Sequence, residues 1–250
     1  MMITSVKNET IKQYAKLHKK KYREQAGSFL VEGLHLVEEA WNSDWQVETI
    51  IVQDGFVSHL EIPTEMITMV SENVMQYLSN TKTPQGIIAI VKMQEPVLQK
   101  KNRYVLLDAI QDPGNLGTII RTADAAGFDA VVLGDGTVDV FNDKVIRASQ
   151  GSIFHLPILQ NDLVDYTKTL QAVGVQVWAS TLEKAAPIGT VSIPDKIALI
   201  VGNEGSGVGV DLLEQADQRV HIPIYGQAES LNVSVATGIM LYQIAGVCGK

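Results

Sequence analysis

The sequence predicts an α/β protein of two units, the second built on a mostly parallel sheet. Apolar residues come in short runs of about 4–8 separated by turn signals. Strand-like runs alternate with stretches of helical periodicity along the chain. The polar, proline-containing segment KMQEPVLQKKN at 92–102 interrupts that pattern and reads as a linker. The expected division is therefore 1–92, a linker at 93–103, and 104–250.

In the first unit, Ile11, Tyr14, Ala15 and Leu17 recur at helical spacing, and FLVEG at 29–33 follows. A second amphipathic stretch covers Leu34–Trp41, and VETIIV at 47–52 has the β-branched density of a buried strand. A helical stretch near Val74–Leu78 precedes the strand-like GIIAIV at 86–91, which together suggest a compact α/β sandwich. The second unit starts with the strand YVLLDA at 104–109 and continues with a helical pattern at 115–126 and the strand DAVVLG at 129–134. Helices are expected near 142–149 and 161–173, then strands VQVWAS at 175–180 and KIALIVG at 196–202. A short helix near 210–216 and a long one at 231–246 complete the unit.

With 250 residues, 46% of them hydrophobic, the chain can bury a substantial core. No run approaches the roughly 18 apolar residues of a membrane span, and MMITSVKNETIKQYAKLHKKK lacks the apolar centre of a secretory signal. The single cysteine, Cys248, cannot form an internal disulfide and fits a reduced cytoplasm. No cysteine-based metal site is expected, because zinc recruits several Cys or His ligands. The net charge of −8 argues against a nucleic-acid partner until its distribution is considered. Residues 1–25 carry Lys7, Lys12, Lys16, Lys19, Lys20, Lys21 and Arg23 against Glu9 and Glu24, a local excess of five that leaves −13 for the remainder. Such a segment can engage phosphates locally; the ordinary alternative is a solvated helix face.

Three loops carry candidate chemistry, and loops after the carboxyl ends of parallel strands are where such sheets bind ligands. In DAIQDPGNLGTIIRTADAAG at 108–127, Asp112-Pro113-Gly114 makes a tight turn and Asn115 is placed to cap the next helix. Arg121 is expected on the first turns of that helix, where the dipole disfavours a cation, so it reads either as a ligand for an anionic substrate group or as a surface residue paired with Asp112 or Asp124. In LIVGNEGSGV at 199–208, a strand runs into glycines that free the backbone to face a ligand, although a plain turn has the same composition. It lacks the Lys-Ser/Thr of a phosphate-binding loop and the GxGxxG spacing of a nicotinamide site. In HIPIYGQAESLNVSVATGIMLYQI at 221–244, Glu229, Ser230, Asn232 and Ser234 crowd the start of a long apolar helix, more polar groups than capping needs.

Taken together, the loops resemble the three motifs of the SpoU (TrmH) methyltransferases of the SPOUT superfamily. NLGTIIRTADAAGFDAVVL is similar to the first, LIVGNEGSGV to the second and IPIYGQAESLNVSVATGIMLYQI to the third, in the same order, over residues 104–250. FLVEGLHLVEEA and the preceding basic helix resemble, more loosely, the family's smaller ribosomal-protein-like substrate-binding domain. The resemblance implies a C-terminal SPOUT domain with a deep trefoil knot, a bound S-adenosylmethionine and a homodimer that completes the active site. It implies cofactor contacts at Thr181, Leu182, Gly202, Asn203, Gly205, Ile222, Ile224 and Leu231, and a catalytic set of Asn115, Arg121, Glu204, Ser230 and Asn232.

The activity implied is methylation of a ribose 2′-hydroxyl in RNA, ribosomal before transfer RNA because of the additional N-terminal domain, with no membrane or metal partner. Arg effectively stays protonated, so Arg121 is expected to hold a substrate phosphate and the developing alkoxide, and Glu204 to orient Arg121 or Asn115. The basic residues of 1–25 are the candidates for RNA docking. A non-catalytic RNA-binding or assembly factor on the same fold would have lost one of Asn115, Arg121, Glu204 or Asn232, and all four are present. A dehydrogenase would need its glycine fingerprint directly after the first strand.

Overall fold

A computed structural model describes residues 2–98 and 102–246; Cys248 lies outside them. The chain forms two compact units, one of Met1–Glu95 with Phe141–Phe154, the other of Pro96–Val140 with His155–Lys250.

In the first unit, α1 (Glu9–Lys16) starts where the Asn8 side chain accepts from the backbone N–H groups of Thr10 and Ile11. α2 (Lys20–Ala26) ends at Gly27 with φ 66°, the left-handed stop that glycine adopts without strain. Then come β1 (Ser28–Glu32), α3 (Leu34–Asn42), β2 (Val47–Gln53), β3 (Ile67–Val70), α4 (Glu72–Leu78) and β4 (Ile87–Lys92). The strand order is β1-β4-β2-β3, with β4 antiparallel to β1 and β2, and β3 parallel to β2. Leu30, Ile51, Ile88 and Ile90 of the sheet pack with Ile11, Val74, Met75 and Leu78 of the helices. Phe29, fully buried, meets the rings of Phe141 at 4.6 Å and Trp45 at 5.8 Å. The expectation of one continuous unit from 104 to 250 is corrected here. Residues 141–154 supply Phe141 and Phe154 to this aromatic cluster, and Phe154 stands 5.7 Å from Trp45.

The second unit contains β5 (Arg103–Asp108), α5 (Pro113–Ala125) and β6 (Ala130–Leu133). After α6 (Asp143–Ser149), which belongs to the first unit, come β7 (Ile158–Gln160), α7 (Leu163–Ala172), β8 (Gln176–Ser180), β9 (Ala186–Pro187), β10 (Ile197–Gly202), α8 (Val210–Gln215), β11 (Gln218–His221) and α9 (Val233–Ile244). The sheet order is β7-β6-β5-β10-β8-β11-β9, and every pairing is parallel. β6 and β10 are buried along their whole length, which is why they read as unbroken apolar runs. β3, β7, β9 and β11 escape the sequence reading because they are two to four residues long and only partly buried, so unlike β6 they form no unbroken apolar run. One face of the sheet, including Leu106, Val132, Val177 and Ile200, packs against Leu163 and Leu170 of α7 and Leu212 of α8. α9 packs on α5, closely enough that a Cβ on Gly238 would lie 3.4 Å from Thr122 Cγ2.

Among the described residues, no helix is long and apolar enough to cross a membrane. No group of three or more His, Cys, Asp or Glu is placed to hold a metal ion among them.

Candidate active site

The parallel register puts the site in place. β5 and β10 are neighbours with Asp108 opposite Gly202, and β8 and β11 are neighbours with Ser180 opposite Val220. The segments that follow, from 109, 181, 203 and 222, therefore all leave the carboxyl edge of one sheet.

The turn after β5 leads into α5 through Asp112, whose side chain accepts from Asn115 N at 2.9 Å, with Pro113 in the first helical position. The expectation that Asn115 caps the helix is thus corrected, and the correction matters. Because Asp112 does the capping, the Asn115 carboxamide is released for other partners. Its Nδ2 donates to Glu204 Oε1 at 3.0 Å, and its Oδ1 accepts from Asn232 Nδ2 at 3.1 Å. Asn232 caps α9, its Oδ1 accepting from Ser234 N at 2.9 Å and Ser234 Oγ at 2.6 Å. One residue from each of the three loops thus joins a single hydrogen-bonded chain.

Glu204 also accepts from Gln111 N at 3.2 Å and Asp112 N at 3.1 Å. Burial pushes its carboxyl up, but hydrogen bonds from the Asn115 side chain and from the backbone N–H groups of Glu204, Asp112 and Gln111 outweigh that and hold it below its ordinary value of 4.5. A carboxylate so depressed is a poor proton acceptor near neutrality. It orients Asn115, and no bond links it to Arg121. What its ionisation contributes is present above pH 4.5 and is lost as the pH falls through the lower folded value. Glu204 is therefore expected to leave no acid limb in a rate profile taken well above that range. Glu204→Gln sets an amide donor against one of two backbone N–H groups and strands it. Hydrogen bonds to charged groups are worth about 1.5–3 kcal/mol, so the turn and Asn115 lose part of their hold and turnover should fall roughly tenfold or more. Steady-state assay of the variant checks this, and unchanged turnover would remove Glu204 from the positioning chain.

Arg121 is the ninth residue of α5, beyond the first turns where it was expected, so the dipole argument for it does not hold. The ion pair with Asp112 or Asp124 is absent too: the Arg121 side chain is exposed and makes no hydrogen bond or ion pair among the described residues. Ser230 is likewise exposed and without a side-chain partner. Arg121 lies six positions after Asn115, so the two side chains leave the helix about 120° apart.

The residues expected to touch a cofactor divide in two. Leu182 and Leu231 are 67% and 38% exposed, and Thr181, Ile222 and Ile224 are half-buried, all on the segments that follow β8 and β11. Gly202 is buried, and Gly205 is exposed. Asn203 spends its side chain within the protein, donating to Ala109 O at 2.8 Å and accepting from Gly205 N and Ser206 N at 2.9 and 3.1 Å. Asp108 was not anticipated: its carboxylate accepts from Gly209 N at 2.8 Å and fastens the far end of the 203–208 loop. The Asp-Pro pair at 112–113 was the sequence signal for the helix cap; nothing comparable flagged Asp108.

Of the basic residues expected to dock RNA, Lys7, Lys19 and Lys21 are exposed and make no ion pair among the described residues. Lys12 pairs with Glu9 at 2.8 Å, Lys20 with Glu24 at 3.8 Å, and Lys16 lies over the Tyr22 ring. Arg23 is withdrawn from the set. It is 4% exposed and donates from Nη1 to Leu17 O at 2.8 Å, holding the α1–α2 turn from within.

A parallel sheet whose carboxyl-edge loops meet in one polar chain is the frame of an α/β enzyme that binds a nucleoside-like cofactor. The chain belongs to the SpoU rRNA methylase family, whose model matches residues 102–242, and residues 8–89 match the MRM3-like substrate binding domain. It is 48% identical over 249 residues to the 23S rRNA (guanosine(2553)-2'-O)-methyltransferase RlmP of Bacillus subtilis strain 168, covering 98% of this chain and 99% of that one. It superposes with a TM-score of 0.87 and 34% identity on the AdoMet-bound rRNA methyltransferase of Sinorhizobium meliloti, covering 98% and 97% of the two chains. The SpoU methyltransferase AviRb of Streptomyces viridochromogenes, in complex with AdoMet, aligns with a TM-score of 0.82 at 25% identity over 96% and 98%.

Proposed function

We propose that this protein transfers the methyl group of S-adenosylmethionine to a ribose 2′-hydroxyl of ribosomal RNA. The observation that carries the reading is the meeting of Asn115, Glu204 and Asn232 from three loops at one sheet edge. Leu182, Ile222, Ile224 and Leu231, exposed or half-buried on the segments that follow β8 and β11, offer the apolar surface that the flat face of an adenosine takes, so the residues present fit the cofactor. When bound, S-adenosylmethionine supplies the electrophilic methyl group. The chain's own residues align the hydroxyl and ease loss of its proton. Asn115, held at both ends of its carboxamide, is a fixed element against which a ribose can be set. Arg121 offers a free guanidinium fork to a substrate phosphate and to the developing alkoxide. The direct test is incubation of the purified protein with labelled S-adenosylmethionine and ribosomal RNA, followed by nucleoside mass spectrometry. A 2′-O-methylnucleoside is expected; cofactor binding without RNA methylation would favour an assembly factor.

The same reading includes a homodimer, a C-terminal segment threaded as a trefoil knot, and a cytoplasmic setting. Support for the dimer comes from α9, which buries Met240, Leu241 and Ile244 yet leaves Val235 52% and Ile239 42% exposed. The divergence of Asn115 and Arg121 around α5 suits a site that a second copy completes.

Lys7, Lys12, Lys16, Lys19, Lys20 and Lys21 dock the RNA backbone in this reading. Deleting residues 1–92 would not test that, because it would uncover Phe141, Phe154 and the buried face of α6. Replacing Lys19, Lys20 and Lys21 together with alanine in the full chain keeps the fold. Affinity for RNA should weaken, and the slope of log affinity against log salt should shrink by about 2 to 3. A filter-binding series in potassium chloride measures it, and an unchanged slope would move RNA docking elsewhere.

A further inference from the structure

Ala109 is one of three non-glycine residues among those described with a positive φ, at 55°, a conformation an L-residue adopts only when its surroundings impose it. It follows β5 directly and opens the turn to Asn115. The atom that holds it is Asn203 Nδ2, which donates to the Ala109 carbonyl at 2.8 Å. Asn203 is itself fixed on every other side. Its Oδ1 accepts from Gly205 N and Ser206 N, and its backbone N and O both pair with Gly207 at 3.0 Å. The next residue, Glu204, takes the N–H groups of Gln111 and Asp112 and the Asn115 side chain. Two consecutive residues of one loop thus grip the other loop at 109, 111, 112 and 115.

We propose that Asn203 is a positioning residue, whose side chain holds Ala109 in its left-handed conformation and so sets the turn that presents Asn115 to the substrate. This rests on the methyl-transfer reading above and assigns Asn203 a role apart from cofactor contact. Asn203→Ala removes both halves of the clamp. Asn203→Asp keeps the acceptor for Gly205 and Ser206 but turns a carboxylate oxygen toward the Ala109 carbonyl, lone pair against lone pair. Ala109→Gly removes the steric cost of the left-handed backbone, so the turn needs less holding.

The full-length protein and its variants are assayed for methyl transfer, with thermal melting as a check on folding. Asn203→Ala is expected to lower kcat at least tenfold with the KM for RNA changed less than twofold. Asn203→Asp should lower kcat at least as far, and adding Ala109→Gly to Asn203→Ala should restore it severalfold. Wild-type kcat in either single variant, or no restoration by Ala109→Gly, would overturn the proposal. If Asn203→Ala does not fold, Asn203→Asp, which retains the loop's own two hydrogen bonds, decides the matter. Should the wild type itself transfer no methyl group, the methyl-transfer reading fails separately. The clamp is then read from hydrogen exchange at Gln111 and Asp112, where faster exchange in Asn203→Asp upholds it and unchanged exchange overturns it.

Discussion

Replacing Arg121 with alanine will cut methyl transfer by about 10²–10³ while leaving S-adenosylmethionine bound and the fold intact. The fold has little to lose, because the side chain is exposed and makes no hydrogen bond or ion pair among the described residues. Surface substitutions of that kind change stability by no more than about 0.5 kcal/mol. Catalysis has much to lose. If the guanidinium meets a phosphate and the developing alkoxide, its removal resembles loss of an oxyanion-hole donor, about 10²–10³ in kcat. Arg121→Lys keeps the charge and loses the planar fork, so it should fall between the two. Single-turnover rates with calorimetric titration of the cofactor separate chemistry from binding. An alanine variant that turned over at the wild-type rate would remove Arg121 from the reaction, and one that lost cofactor affinity as well would make it a binding residue instead.

Gly202→Ala will damage both stability and cofactor binding. A Cβ built on Gly202 would lie 2.1 Å from the carbonyl carbon of Gly207 and 2.2 Å from the nitrogen of Val208. Those are backbone atoms that no rotamer change can move aside, so the 203–207 loop itself must shift. Forcing extra volume into a packed site costs about 3 kcal/mol at the upper end of the usual range, which for a chain of this size lowers Tm by roughly 6–12 °C. The displaced loop carries Asn203 and Glu204, so the turn at 109–115 loses its support. Gly189→Ala is the control, since a Cβ there would meet no heavy atom within 4 Å. Melting curves and cofactor titration of the two variants, side by side, test the argument. Equal behaviour would mean that the close approach at Gly202 is not what shapes the loop.

Much of this was written in the local sequence. Runs such as VETIIV, YVLLDA and KIALIVG declare strands because a buried strand needs apolar side chains on both faces, and the intervening helical spacing declares the crossovers. The three polar loops stood out because their residues exceed what turns and caps require. Their meeting could not be derived from spacing. Asn115 and Asn232 lie 117 positions apart and touch only because both loops leave the same sheet edge.

The misreadings have local causes. Asn115 and Asp112 are both good caps, and sequence alone does not say which one the helix takes; Pro113 in the first helical position decided for Asp112. That choice moved the start of α5 and left Arg121 in its third turn. Arg23 looked like one more cation in a basic run, but it lies on the face of α2 that turns inward.

By itself, then, the sequence determined the alternating elements, the identity of the polar loops and the family they resemble, because these depend on residue type and short-range spacing. Only the tertiary structure decided that α6 and its flanking phenylalanines belong with the first unit, that Glu204 serves Asn115 and not Arg121, and that Asn203 is turned toward Ala109. Those are long-range contacts, set by which strand ends lie side by side once the sheet has formed, and no local pattern carries that information.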